Sequence, residues 1–134
     1  MPKVHAQVTS TRAPEELAAT VADFYAVHTW CAWATATVRD ETRPNTRIVT
    51  LASGNRVAEE LVDSGPTFVR YRMVPDATNP MKDFEGEIRV VPAAEGGSIL
   101  SWDATFTCDP ALAATLSENV RSMYQQGLDH LSAK

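Results

Sequence analysis

The alternation of hydrophobic and polar residues along this chain predicts strands over most of its length and helices in two places. Residues 4–11 alternate apolar and polar side chains, which is typical of a half-buried strand. From Pro14 to Tyr25, apolar residues recur at spacings of three and four, as on one face of an amphipathic helix. The segment AVHTWCAW, residues 26–33, closes this helical region and leads into a second strand, ATATVRDE.

The middle of the chain reads as a meander of strands separated by turns that contain glycine or proline. The strand segments are TRIVTLA (46–52), RVAEELVD (56–63), TFVRYRMV (67–74), FEGEIRVVP (84–92) and SILSWDATF (98–106). Asp109 and Pro110 then form a helix-start signal, an N-cap followed by proline in the first turn. A long helix is predicted from roughly Pro110 to Ser132, with one face marked by Leu112, Leu116, Val120, Met123, Tyr124 and Leu131.

This order of elements predicts an α+β fold in one domain, residues 1–134. One strand, a short helical segment and six more strands precede the long helix. We therefore expect a seven-stranded, curved antiparallel sheet wrapped around the C-terminal helix, with a cavity between the two.

Composition narrows the classes of partner. A net charge of −5 disfavours nucleic acid and anionic membranes, since phosphate binding needs clustered Lys and Arg. No run of about 18 apolar residues spans a bilayer, and the N-terminus has no apolar core of signal-peptide length. Two distant cysteines form no disulfide framework, so we expect a cytoplasmic protein. No cofactor is predicted, and the protein is expected to be a monomer or a homodimer.

Several motifs give the chain a resemblance to a known family. The stretches are APEELAATVADFYAVHTW, TRIVTLASGNRVAEELVD and YRMV followed by NPMKDFEGEIRVVPAAEGGSILSWDATF. They resemble the polyketide cyclase/dehydratase branch of the SRPBCC (START-like) helix-grip superfamily. The residues that match its pattern are Trp30, Arg47, Gly54, Glu59, Glu60, Leu61, Pro80, Phe84, Gly96, Gly97, Ser98 and Trp102. The resemblance implies a helix-grip fold and a hydrophobic small-molecule ligand.

The resemblance places the tryptophans of AVHTWCAW at the mouth of the cavity, and strand alternation adds further inward-facing residues. Bulky amphipathic aromatics are typical of hydrophobic ligand sites, although ordinary core packing is an alternative for each tryptophan. We predict a cavity of a few hundred Å³. Its expected ligand-binding residues are Tyr25, Trp30, Trp33, Met81, Phe84, Trp102 and Met123.

Two charged residues fall on the face of the sheet that is expected to be buried. Arg47 shares a face with Val49, and Glu59 would be its near-diagonal neighbour across a hairpin. A buried charge must be paired or must touch polar groups. The pair is either an acid/base device for a cyclase or a salt bridge without chemistry. The catalytic hypothesis names Glu59, oriented by Arg47, with His28 or Tyr71 as partner on the opposite wall.

His28 and Cys31 raise the question of a metal or nucleophile site. A zinc site needs three or four ligands, and the remaining candidates lie on other predicted elements. A Cys–His pair needs both side chains within hydrogen-bond reach, and no oxyanion donors are evident nearby. We therefore predict no metal, and we interpret the segment as an aromatic wall.

Three functions remain open on the sequence. The first is a cyclase or dehydratase that holds an oxygenated apolar substrate near its reactive shape. The second is a carrier or sensor of a lipid-like or aromatic ligand. The third is an interaction module with a filled core. Small inward residues at Ala36, Gly86 and Ala104 favour a real pocket.

Overall fold

The seven strands of the protein form one antiparallel sheet in the order β1-β7-β6-β5-β4-β3-β2. These features come from a computed structural model that describes residues 1–133. The strands are β1 Lys3–Ser10, β2 Ala34–Arg39, β3 Thr46–Leu51, β4 Arg56–Ser64, β5 Phe68–Met73, β6 Lys82–Pro92 and β7 Ser98–Thr107. The helices are α1 Pro14–Ala22, a 3-10 helix Phe24–Thr29, a 3-10 turn Pro110–Leu112 and α2 Ala113–Ala133. The predicted fold class is confirmed.

The alternation of the strands explains which face of the sheet is buried. In β7, Leu100, Trp102, Ala104 and Phe106 are all buried, whereas Asp103 is exposed. β5 and β6 follow the same rule, because successive side chains of a strand point to opposite faces. The apolar face lies toward the helices, so the core is the space between the curved sheet, α1 and α2.

The segment before β2 is a 3-10 helix, and its period decides which side chains face the core. Phe24, Val27 and Trp30 are buried, at the spacing of three that a 3-10 helix brings to one side. Ala26 has non-helical dihedral angles (φ −124°, ψ 25°) and kinks the segment. His28 is consequently turned outward and exposed. Its expected place on an interior wall is therefore wrong.

A register shift in β2 changes a second predicted position. β2 pairs with β3 through Ala34 opposite Leu51 and Ala36 opposite Thr50, so β2 carries one extra residue between them. Such a bulge resets which side chains face inward. Ala36, expected to face the interior, is exposed as a result, whereas Gly86 and Ala104 are buried as predicted.

The long helix packs against the sheet with a glycine of α2 facing a tryptophan of β7. Its first predicted turn is a 3-10 turn in which Asp109 caps the backbone N–H of Ala111, and Leu112 is exposed rather than on the buried face. Farther along, a Cβ added to Gly127 would lie 3.0 Å from the ring of Trp102. The glycine therefore marks close packing between α2 and β7.

Gly86 provides a test of how tightly this interior is filled. An added Cβ would lie 2.6 Å from the hydroxyl of Tyr71 and 2.9 Å from that of Tyr124. We expect Gly86→Ala to lower the free energy of unfolding by about 1–3 kcal/mol, as overpacking does. Gly65→Ala is the control, because its equally close neighbour is the half-buried ring of Phe68, and its effect should stay within about 0.5 kcal/mol. Urea denaturation measures both, and equal effects would contradict the prediction.

Candidate functional site

A buried ion pair joins β3 and β4 on the inner face of the sheet. Arg47 and Glu59 are directly opposite in the strand register and are only 6% and 7% exposed. The guanidinium of Arg47 donates from Nε to Oε1 of Glu59 at 2.9 Å, and its Nη2 lies 2.8 Å from the same oxygen as an ion-pair contact. Oε2 of Glu59 accepts no hydrogen bond from the residues that the structure describes.

The same guanidinium is fixed from two further sides. Its Nη1 donates at 2.8 Å to the backbone carbonyl of Phe24, at the start of the 3-10 helix. The guanidinium carbon lies 4.1 Å from the centroid of the Phe24 ring and 5.3 Å from that of Tyr71. Arg47 therefore ties the sheet to the helical segment, and its charge is met by a carboxylate, a carbonyl and aromatic faces.

Two tyrosine hydroxyls form a second polar feature of the interior. The hydroxyls of Tyr71 on β5 and Tyr124 on α2 are 2.6 Å apart, and the indole Nε1–H of Trp102 donates to Tyr71 at 3.1 Å. Whichever hydroxyl donates to the other, one hydroxyl hydrogen remains without an acceptor among residues 1–133. This pair therefore holds one unused hydrogen-bond donor.

The protonation states of these groups follow from their burial. Burial raises the pKa of Tyr71 well above its ordinary value, and the nearby negative charge of Glu59 raises it further. Burial and the adjacent Tyr71 raise the pKa of Tyr124 in the same way. Burial also raises the pKa of the Cys31 thiol to about 12, so this thiol is protonated at neutral pH and is a poor nucleophile.

The indole rings of the interior pack on one another. Trp102 stacks on Tyr124 at a centroid distance of 4.1 Å and an interplanar angle of 8°. The ring centroids of Trp33 and Trp30 lie 6.1 Å and 5.6 Å from that of Trp102. Trp33 donates its Nε1–H to the carbonyl of Met123 at 2.7 Å. The Nε1–H of Trp30, by contrast, is buried and has no acceptor within the described chain.

An open groove of about 610 Å³ lies at the end of β5 and the start of β6. Its apolar wall includes Met73, Met81 and Phe84, two of which belong to the predicted ligand-binding set. Charged and polar residues complete the lining: Arg43, Thr46, Glu60, Arg72, Asp76, Asn79, Lys82, Asp83 and Glu85. Met73 is the strand partner of Glu59, so the groove wall borders the Arg47–Glu59 pair along the sheet.

The groove is not the predicted cavity between the sheet and α2, because the other predicted ligand-binding residues do not line it: Tyr25, Trp30, Trp33, Trp102 and Met123. The ring of Tyr25 sits beneath the guanidinium of Arg39, which is 3.9 Å from the ring centroid and donates to the tyrosine hydroxyl at 3.1 Å. The exposed His28 has its Nδ1 2.9 Å from the hydroxyl of Thr37. His28 and the buried Cys31 therefore do not face each other. Met123 is half-buried.

Sequence reasoning missed the polar part of the groove, because its lining comes from both faces of four strands, β3 to β6, and from the loops before β3 and after β5. Strand alternation identifies one face only. The PDATNPMK segment was the available signal, since a loop rich in turn residues so often carries function. Asp83, directly after this segment, has a positive φ of 51° and marks the bulge where β6 begins.

Within the described residues there is neither a cluster of potential metal ligands nor a helix that could span a membrane. No three His, Cys, Asp or Glu side chains within residues 1–133 lie close enough together to hold a metal ion. None of the helices in that range is long and apolar enough to cross a membrane.

Comparison with known proteins agrees with the resemblance described above. A family model described as "Polyketide cyclase / dehydrase and lipid transport" matches residues 1–134. Protein XoxI from Bacillus cereus superposes with a TM-score of 0.90 at 18% identity, over 99% of this chain and 94% of that chain. A START superfamily protein from Mycobacterium smegmatis gives 0.68 at 15% identity, over 99% and 93% of the two chains.

A third structure is the di-domain ARO/CYC protein StfQ from the steffimycin biosynthetic pathway. It superposes with a TM-score of 0.72 at 15% identity, over 98% of this chain and 49% of that chain. At these identities the structural likeness shows the fold, and the helix-grip expectation is confirmed. No curated protein matches the sequence.

Adjacent glutamates on β4 provide a matched test of the buried pair. Glu59 pairs with Arg47 in the interior, whereas Glu60 pairs with Arg72, whose side chain is 62% exposed. We expect Glu59→Ala to lower the free energy of unfolding by about 3–5 kcal/mol, because it leaves a buried charge unpaired. Glu60→Ala should cost no more than about 1 kcal/mol. Chemical denaturation distinguishes the two, and a small effect at Glu59 would contradict the assignment.

Proposed function

The chain belongs to the polyketide cyclase/dehydrase and lipid transport family, and from this premise we propose that it binds a hydrophobic, oxygenated small molecule. The single observation that carries the proposal is the groove of about 610 Å³ beside the buried Arg47–Glu59 pair. That volume lies within the range of about 300–1,000 Å³ common for small-molecule sites.

The lining of the groove favours a ligand that is apolar on one side and polar on the other. Met73, Met81 and Phe84 offer an adaptable apolar surface, because methionine side chains adjust to irregular shapes. The opposite edge carries both signs of charge, and Arg72 is already paired with Glu60. Such an edge can hydrogen-bond the oxygens of a ligand without requiring that the ligand be charged.

Binding at this groove can be tested with Nile red, an uncharged aromatic dye whose fluorescence rises in apolar surroundings. We expect the wild-type protein to bind the dye and Met81→Glu to weaken the binding at least about tenfold, because a carboxylate in the apolar wall loses hydration when the dye binds. Val38→Glu is the control, since Val38 is 57% exposed on β2 and lies outside the groove. Fluorescence titration gives both dissociation constants.

The outcomes separate the binding function from its location. If neither protein binds Nile red or a wider panel of apolar dyes, the binding function is wrong. If Met81→Glu binds as tightly as the wild type, the ligand does not occupy the groove.

A second candidate is chemistry of the cyclase or dehydratase type, which requires that the ligand extend past Met73 to Glu59 and the tyrosine pair, since none of these groups lines the groove itself. It is favoured by the free Oε2 of Glu59 and by the unused hydroxyl hydrogen of the Tyr71–Tyr124 pair. A carboxylate can accept the hydrogen on the carbon next to a carbonyl, and a phenol can donate a proton to a departing hydroxyl. His28, which the sequence also nominated, is exposed and has no part in this candidate.

The dehydration of a β-hydroxyketone balances in atoms and electrons without a cofactor. In a β-hydroxyketone, Glu59 would take the α-hydrogen as the C–H electron pair forms the new C=C bond. The C–O bond at the β-carbon breaks, and the leaving oxygen takes a proton from the tyrosine pair to become water. The proton held by the carboxylate then returns to the pair through solvent. Arg47 would act here as a positioning residue, because its Nε hydrogen bond and its Nη2 ion-pair contact both fall on Oε1 and leave Oε2 available.

Conversion of 4-hydroxy-4-phenylbutan-2-one to its enone provides the test. We expect measurable dehydration by the wild-type protein and a loss of about 10²–10⁴-fold in rate for Glu59→Gln, with substrate affinity retained. Asp63→Asn, an exposed carboxylate on the same strand that lies outside the groove, is the control and should keep the wild-type rate. Ultraviolet absorbance follows the enone.

Thermal denaturation checks that both variants are folded. An unchanged rate in folded Glu59→Gln, or no dehydration by the wild type, would leave binding alone as the function.

A further inference from the structure

Met73 is the side chain that separates the groove from the buried ion pair. It lines the groove, whereas Glu59 and Arg47 do not. In the register of the sheet, Glu59 lies between Arg47 on β3 and Met73 on β5. Side chains directly opposite each other on one face of a sheet are neighbours, with Cβ atoms about 5 Å apart. A ligand that enters from the groove therefore meets Met73 before it can reach Glu59.

The loop between β5 and β6 holds Met73 in this position. The side-chain amide of Asn79 donates from Nδ2 to Sδ of Met73 at 3.4 Å. Its Oδ1 accepts the backbone N–H of Met81 at 2.9 Å, so the amide cannot turn over without losing that bond. The backbone N–H of Asn79 donates to the carbonyl of Asp76 at 3.1 Å, which anchors Asn79 within the loop. Because Met73 is also half-buried and packs against the core, its thioether is fixed by the loop and by the interior.

The residues behind Met73 are closely packed. Glu59 is 7% exposed, and Arg47 is bound both to Glu59 and to the carbonyl of Phe24. Tyr71, the next inward-facing residue of β5, is 3% exposed. A ligand atom that moved past Met73 would have to displace packed side chains. Additional ligand length therefore gains no apolar contact once the ligand touches Met73.

We propose that Met73 is a specificity-determining residue that ends the groove and selects compact ligands. A compact molecule makes all of its apolar contacts within the groove, whereas the extra chain of a long-chain lipid would extend into solvent. The inference rests on the proposed binding function and adds ligand length to it. It is independent of the second candidate, because dehydration at Glu59 would require the ligand to displace Met73.

Ketones of increasing length test this limit. The probes are 4′-alkylacetophenones from ethyl to octyl, which are uncharged aromatic ketones, and displacement of Nile red gives their dissociation constants. In the wild type we expect the affinity to rise about fourfold for each added methylene, the effect of burying one CH₂ group. The rise should stop at one chain length, which we call the limiting length. An affinity that rises without a limit up to octyl would overturn the inference.

Removal of the Met73 side chain tests which residue sets the limit. Met73→Ala removes Cγ, Sδ and Cε, so the limiting length should increase by about two to three methylenes, and the octyl ketone should bind about tenfold more tightly than it binds the wild type. Met81→Ala is the matched control, because it removes the same atoms from the groove wall at a residue that is not the strand partner of Glu59. It should weaken all the ketones by a similar factor and keep the limiting length. An unchanged limiting length in Met73→Ala overturns the inference, as does an equal increase in Met81→Ala.

Met73→Leu separates the size of the side chain from its sulfur. Leucine is close to methionine in volume, but it offers no acceptor to the amide of Asn79. The limiting length should therefore stay at the wild-type value. An increase as large as that of Met73→Ala would contradict a limit set by size.

A measurement on the unaltered protein covers the case in which Met73→Ala does not fold. The chain contains four methionines, and ¹³C labelling of their methyl groups gives each a signal. The signal that is missing in Met73→Leu belongs to Met73. With the ketone of limiting length bound, the terminal methyl of its chain should show a nuclear Overhauser effect to the Met73 methyl. The absence of this effect overturns the inference.

Failure of the inference and failure of the binding function give different results. If Nile red binds and the ketones do not displace it, or if their limiting length does not depend on Met73, the inference is wrong and the binding function stands. If no apolar dye binds, the binding function fails, and the inference fails with it.

Discussion

The stacking of Trp102 on Tyr124 is the contact on which the interior of this protein depends. It joins the central face of the sheet to the long helix, and it fixes how far α2 stands from β7. Small residues must then accompany it: Gly127 lets the helix approach the indole, and Gly86 leaves the space that the Tyr71 and Tyr124 hydroxyls occupy. A large ring opposite a residue without a side chain is how close packing is reached across a curved sheet.

The polar groups of the interior are arranged around this stack in two different ways. Arg47 and Glu59 satisfy each other and hold the 3-10 helix against the sheet through the Phe24 carbonyl. Trp30 and the tyrosine pair instead retain donors that the protein itself does not use. A buried ion pair can serve the stability of the fold, whereas a buried donor needs an acceptor from outside the chain, such as a water molecule or a ligand oxygen.

Local sequence was sufficient for the sheet and insufficient for the places where the backbone departs from regular geometry. Strand alternation correctly placed Trp102, Tyr71 and Glu59 inward, because a period of two leaves only one choice once a hydrophobic face is known. His28 was misplaced because the helical segment has the 3-10 period, and Ala36 because of the β2 bulge. Neither departure has a marker in the pattern of apolar residues.

Some features of the candidate site also follow from local sequence, whereas others depend on tertiary packing. The pairing of Arg47 with Glu59 followed from the position of one hairpin turn. The bond from Arg47 to the Phe24 carbonyl depends on how two distant segments pack, as does the isolation of the Trp30 N–H. The family resemblance could name Trp30 as a wall residue, but only three-dimensional packing shows which of the three indoles has no acceptor.

The bulge in β2 has a consequence for how the protein behaves among other copies of itself. Because the sheet runs from β1 to β2 without closing, β2 presents an outer row of backbone N–H and C=O groups. A straight outer strand is a template on which another chain can add a strand, and ordered aggregates begin in this way. The extra residue between Ala34 and Ala36 breaks the regular spacing of that row, and Arg39 places a charge at its end. The irregularity that the sequence pattern did not reveal thus also makes the β2 edge a poorer template for strand addition.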